Sequence, residues 1–237
     1  MTKTIQTIKS ELRRHVEPGR AENSLRFFQC GPGQYGEGDQ FLGIRVPFIR
    51  GVVKDFCGLS IADTTALLKS PWHEERLFAL LMLVDTFKRA DDAARREIFD
   101  LYMTHTAWIN NWDLVDLSAP HIPGSWLFSR NRNPLFAFAV SESLWERRIA
   151  ILAAFYFIRN KDFEDVLKIA EILLHDEHDL IHKAVGWMLR ETGKRDPATE
   201  ERFLRAHYRA MPRTMLRYAI EKFPENRRQQ YLQGLVD

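Results

Sequence analysis

Apolar residues recur along this chain at intervals of three and four, as in Leu77, Leu80, Leu81 and Val84, or Ile149, Leu152, Ala153 and Tyr156. That spacing places them on one face of a helix, and the two-residue alternation of a strand is almost absent. Breaks fall at glycine and proline: Pro18-Gly19, residues 31–39, Pro71, Pro123-Gly124, Pro134, Pro197, Pro212 and Pro224. The pattern predicts an all-α chain of successive helices. The longest apolar run, residues 149–158, reads as a buried helix and is shorter than the roughly 18 residues a membrane span needs. Residues 31–39 are rich in glycine but lack the Gly-Lys-Ser/Thr ending of a phosphate loop, so they read as a mobile surface connection.

The helices also repeat. Glu75-Arg76-Leu77-Phe78-Ala79-Leu80-Leu81, Asn111-Trp112-Asp113-Leu114-Val115-Asp116-Leu117, Glu146-Arg147-Arg148-Ile149-Ala150-Ile151-Leu152 and His182-Lys183-Ala184-Val185-Gly186-Trp187-Met188 align at a period near 36. The fourth and seventh positions are apolar in all four. The fifth is small (Ala79, Val115, Ala150, Gly186), as close helix packing requires. A period of this size with two helices per unit predicts an α-solenoid of HEAT-like repeats, a single domain over residues 1–237 with a concave groove.

Against that register some residues stand out. The sixth position holds Leu80, Ile151 and Trp187, but also Asp116; the third holds Leu77 and Ala184, but also Asp113 and Arg148. These positions lie one turn apart on one face, which Trp112 shares. Each residue has a structural explanation. Asp113 and Arg148 would suit an ion pair between stacked helices, Asp116 a carboxylate satisfied by a helix N-terminus or by Arg148, and Trp112 and Trp187 the core. Together, carboxylates, an arginine and two tryptophans in neighbouring repeats predict a groove for a flat, cationic ligand. The helices at residues 111–118, 145–158 and 181–193 are then expected side by side on the concave face of a right-handed solenoid.

Composition adds limits. With 237 residues, 45% hydrophobic and 28% charged, the chain can bury a sizeable core. Its first ten residues lack the apolar stretch of a signal peptide, and two cysteines make neither a metal pattern nor a disulfide framework. These features predict a cytoplasmic monomer with reduced thiols and no membrane association. The net charge of +2 says little, but residues 183–228 hold twelve basic residues against six acidic ones. That imbalance suits a polyanion partner or a solvated helix face. Other chemistry does not assemble. His175, His178 and His182 have a spacing that would suit a metal on one helical face, yet no further Cys or His sits at a recognisable spacing, and no metal or cofactor is expected. Ser118 and His121 near Asp116 belong to no Gly-x-Ser-x-Gly elbow.

Asn111-Trp112-Asp113-Leu114-Val115-Asp116, Trp145-Glu146-Arg147-Arg148-Ile149-Ala150-Ile151-Leu152, Lys183-Ala184-Val185-Gly186-Trp187-Met188-Leu189-Arg190-Glu191 and Phe41-Leu42-Gly43-Ile44-Arg45-Val46-Pro47 resemble the AlkD-type alkylpurine DNA glycosylases over almost the whole chain. The resemblance implies a HEAT-like solenoid that removes cationic alkylated purines, 3-methyladenine and 7-methylguanine, from duplex DNA without flipping the base. It also implies that the catalytic aspartate is Asp116, the groove tryptophans Trp112 and Trp187, and the groove arginine Arg148. DNA contacts are expected from Arg45, Asp113, Lys183, Arg190, Arg213 and Arg217. Phe27 stands where the family often has tyrosine, Arg45 where it has glutamine, and residues 31–39 resemble an insertion. No lysine is placed for a Schiff base, so the expected enzyme is monofunctional. The alternative is a non-catalytic solenoid that binds DNA structures or proteins.

Overall fold

The computed structural model describes residues 4–236. The chain forms two compact units, residues 1–118 and 119–237. Among the described residues there is no strand, only an isolated bridge between Gln40 and Trp72.

The first unit contains α1 (Ile5–Arg13), α2 (Pro18–Phe27), α3 (Val46–Asp55), α4 (Ile61–Leu68), α5 (His73–Arg89), α6 (Asp92–Thr104) and α7 (Trp112–Ser118). Their starts follow from local chemistry. Thr4, Ser60 and Asp91 each cap a helix by accepting the backbone N–H three residues on, and prolines open α2 and α3. Helix α5 is the centre: it is buried from His73 to Val84 and packs on α3, α4, α6 and α7. A helix apolar on every side is stable only when surrounded in this way.

The second unit opens with a π-helical turn, Pro120–Gly124. There follow α8 (Ser125–Leu127), α9 (Asn133–Ala139), α10 (Leu144–Ala153), α11 (Phe155–Arg159), α12 (Glu164–Ile172), α13 (Asp179–Gly193), α14 (Pro197–His207), α15 (Arg213–Ala219) and α16 (Glu225–Gln233). Helix α13 is its axis, in contact with α10, α11, α12, α14 and α15. The helix expected over residues 145–158 is divided at Ala154, whose ψ of −14° tightens the last turn of α10. The Ala153 carbonyl at that point lies against Gly124, where any Cβ would collide with it.

The repeat register holds within each unit. Phe78, Leu114, Ile149 and Val185 at the fourth position are all 0% exposed. At the fifth, Ala79, Val115, Ala150 and Gly186 are all buried. The sixth position divides: Leu80 and Ile151 are buried, Asp116 and Trp187 half-buried. Gly186 has a specific reason to be small. A Cβ there would collide with the Met215 carbonyl and lie 2.6 Å from Tyr218 Cβ, so α15 sits directly on the α13 backbone. Gly186→Ala is therefore expected to destabilise the protein by about 1–3 kcal/mol through overpacking, read as a lower Tm. An unchanged Tm would mean that α13 and α15 separate without cost.

Candidate functional site

The first turn of α7 is fixed by a buried polar network. Asn111 is 0% exposed in side-chain surroundings that use both ends of its amide. Its Oδ1 accepts the Trp112 N–H at 2.9 Å, and its Nδ2 donates to Asp39 Oδ2 at 3.4 Å. Asp113 caps its own helix through Leu114 N at 2.9 Å and accepts from His73 Nε2 at 2.8 Å. His73 donates from its other nitrogen, Nδ1, to Asp39 Oδ2 at 2.9 Å, while Arg76 donates to Asp39 Oδ1 at 2.5 Å. Burial alone would lower the His73 pKa, but the carboxylates of Asp113 and Asp39 raise it to about 9. His73 is thus an imidazolium between two carboxylates. Burial pushes Asp39 upward, yet His73 and Arg76 outweigh it and hold the carboxyl below its ordinary range.

The neighbouring backbone is held by Glu74. Its carboxylate accepts the N–H groups of Leu42, Gly43 and Ile44 at 2.9, 2.7 and 3.1 Å. Gly43 has a φ of +78°, and a Cβ on it would collide with the Glu17 carbonyl, so glycine is required there.

Aromatic rings cover this network. Phe41 stacks on His73 with centroids 4.6 Å apart, Phe28 on Phe41 at 5.0 Å, and Phe28 on Trp112 at 5.4 Å. Phe27, 65% exposed, meets Trp112 edge-on at 5.7 Å. Trp112 is therefore fixed in orientation while remaining half-buried. Asp116 lies one turn further on, near Tyr102. Burial, with the Asp116 charge adding to it, pushes the Tyr102 phenol up, and its hydroxyl bonds Ser118 at 2.9 Å.

In the second unit Arg148 is buried, and its guanidinium donates to the Leu180 carbonyl at 2.6 Å. Trp187 is half-buried against Phe155, with centroids 5.9 Å apart. The expected DNA contacts differ in availability. Arg213 and Arg217 stand exposed four residues apart on α15, and neither makes an ion pair among the described residues. Lys183 pairs with Asp179 at 2.6 Å, Arg190 pairs with Glu221, and Arg45 donates twice to Glu17 at 3.0 and 3.3 Å.

Sequence reasoning missed His73, Asp39, Arg76 and Glu74. A polar cluster at the start of an otherwise apolar helix was the available signal. Residues 31–39 are a surface connection only in part: Pro32, Gly33 and Gln34 are exposed, but Gly36 is buried and Asp39 is the buried anchor of the network. The three histidines do not share one helical face. His175 ends a 3-10 turn, His178 caps α13 by accepting Leu180 N at 3.1 Å, and His182 contacts the Asp176 carbonyl from within α13. Among the described residues no group of three or more His, Cys, Asp or Glu is placed to hold a metal ion. Nor is any helix among them long and apolar enough to cross a membrane.

A family model described as DNA alkylation repair enzyme matches residues 8–223. The chain belongs to this family. No curated protein matches it in sequence. Two solved structures are similar to it in fold. One, described as a predicted DNA alkylation repair enzyme from Enterococcus faecalis, has a TM-score of 0.70 and 16% identity, covering 89% of this chain and 98% of its own. The other, smu.31 from Streptococcus mutans UA159, has a TM-score of 0.51 and 15% identity, covering 93% and 99%. As a member of the DNA alkylation repair enzymes, this chain has DNA as its partner. The half-buried tryptophans and the exposed arginines of α15 are side chains suited to that partner.

Proposed function

We propose that this DNA alkylation repair enzyme hydrolyses the N-glycosidic bond of cationic alkylated purines in duplex DNA. The observation that carries the reading is Asp116: a half-buried carboxylate at a repeat position that is fully buried and apolar in Leu80 and Ile151. A purine alkylated at N3 or N7 already carries a positive charge and departs as a neutral base, so little general-acid help is needed. What the protein must supply is a negative charge near C1′ as the sugar becomes cationic, and a base or acceptor for the attacking water. Asp116 takes both roles. Trp112 and Trp187 offer electron-rich faces to the cationic nucleotide. Arg148, buried and bonded to the Leu180 carbonyl, binds a phosphate beside the lesion only if its guanidinium turns outward. Such lesions have weak glycosidic bonds, so the reading requires no base flipping and no covalent lysine intermediate.

The test is release of 7-methylguanine from methylated duplex DNA by the purified protein, resolved from intact DNA by chromatography. Free base with an unbroken strand is the expected product. Binding without release would instead favour a DNA-structure binder.

Binding itself is expected to depend on salt through phosphate contacts from α15. Arg213→Gln and Arg217→Gln should each reduce the slope of log K against log salt by about one unit, with little regard to sequence. Slopes unchanged in both variants would remove α15 from the interface.

A further inference from the structure

Two of the residues assigned to the chemistry ride on α7, Trp112 as its first residue and Asp116 one turn further on. A helix of seven residues does not hold itself. Its place is set from outside, by packing on α5 and by the polar network at its first turn. That network is built around one ring. The His73 side chain is 2% exposed and has a carboxylate on each nitrogen, Asp39 at 2.9 Å and Asp113 at 2.8 Å. A neutral imidazole donates from one nitrogen only, so two carboxylates require the doubly protonated, cationic ring. Asp39 is held in turn by Arg76 and by Asn111, whose own Oδ1 takes the Trp112 N–H. Asp113, expected from the sequence to contact DNA, is turned onto His73, with its side chain 13% exposed.

Stability alone does not account for such a triad, because replacing buried ionic groups by apolar ones of similar volume is often neutral or stabilising. What a rigid ionic bridge supplies is a single register. We propose that His73 is a positioning residue for base excision: it bridges Asp39 to Asp113 and so fixes the turn of α7 that presents Trp112 and Asp116 to the alkylated nucleotide. This role rests on the glycosylase reading of Asp116. Charge gives a second reason for a cation here. Asp113 precedes Asp116 by three residues, and like charges at that spacing on a helix repel. The imidazolium takes up the Asp113 charge at the side of α7 that faces α5. The aromatic rings give a second route to the same end. Phe41 stacks on His73, Phe28 on Phe41 and Phe28 on Trp112, so a displaced imidazole disturbs the indole through packing as well as through the backbone.

His73→Gln and the double variant His73→Gln with Asp113→Asn test this in the full chain on methylated duplex DNA. Glutamine can bond one carboxylate but cannot bridge two. The single variant leaves two buried carboxylates without their cation, whereas the double keeps the charge balanced and should stay closer to the native Tm. If the single variant fails to fold, the double carries the test. In both, single-turnover release of 7-methylguanine at saturating protein should fall by about tenfold to a hundredfold, because a misplacement of about 1 Å costs on that order. Duplex affinity should stay within about twofold, since phosphates carry it. Ser60→Ala is the control: it removes the α4 cap, lowers Tm and should leave the rate per folded molecule unchanged. A second readout does not depend on the chemistry. With 5-fluorotryptophan at all six tryptophan positions, the Trp112 resonance is assigned by its loss in Trp112→Phe. It should shift or broaden in both variants, while those of Trp126, Trp145 and Trp187 stay in place. A native rate in the double variant, a loss confined to affinity, or an unmoved Trp112 resonance overturns the proposal. A native protein that releases no base sinks the glycosylase reading by itself, and the Trp112 resonance then still decides whether His73 sets this turn.

Discussion

Asp116→Asn is expected to slow 7-methylguanine release by on the order of a hundred- to a thousandfold, roughly 3–4 kcal/mol in the barrier, with the fold intact. Asparagine keeps the shape of the side chain but carries no charge. It can neither stabilise an oxocarbenium-like sugar nor take a proton from water. Duplex affinity should hold or rise, because a negative group facing phosphates has been removed. If Asp116 were only a structural carboxylate, the variant would lose thermal stability while each folded molecule kept its activity. Single-turnover release measured beside a melting curve separates the two. A variant retaining more than about a third of the native rate, far short of the loss such a group supplies, would remove Asp116 from the chemistry.

The second large effect concerns stability. His73→Leu should cost about 3–5 kcal/mol, because it leaves Asp39 and Asp113 facing each other across a buried space without the cation between them. The native protein should carry a matching pH signature. His73 has its pKa raised from 6.5 to about 9, so its contribution is complete below 6.5, fades as pH rises, and is gone above about 9. A rise of that size is worth about 3 kcal/mol. Asp39 acts in the opposite direction: its pKa is lowered, so its contribution is present at neutral pH and lost as acid protonates it. Urea unfolding at pH 6 and pH 9.5 should show a clear fall in the native protein and a much smaller one in His73→Leu. Equal falls in both would show that another group carries the alkaline dependence.

The helical class and the inward stripe of each repeat were legible because burial imposes a period on the chain. Phe78, Leu114, Ile149 and Val185 sit at matching positions and are buried alike. Gly186 was legible as a close-packing position, though not its partner, since Met215 lies outside the repeated heptad. Asp116 stood out by the same logic, as a charge on an apolar template. The network around His73 was not legible. Its members are 34 and 40 residues apart in sequence, in different elements, and no local period links an aspartate in a glycine-rich loop to a histidine at a helix start. The break at Ala154 was hidden for a related reason: the apolar run continues through it, while the turn that packs there begins at Pro120.

The glycine-rich segment has its fixed and variable parts separated. Its tip bonds to itself, Gly31 N–H to the Gln34 side chain and Gly33 N–H to that of Glu37, both at 2.8 Å. Its far end is locked by Asp39 to His73 and Arg76. An inserted residue at Pro32 or Gln34 therefore has no lever on α5 or α7, and lengthening such a loop is cheap, with each doubling costing only about 0.6 kcal/mol in closure entropy. The tip is a place where relatives of this chain can differ in length and composition at little expense, while the aspartate that ends it cannot move without disturbing the helix that carries Trp112.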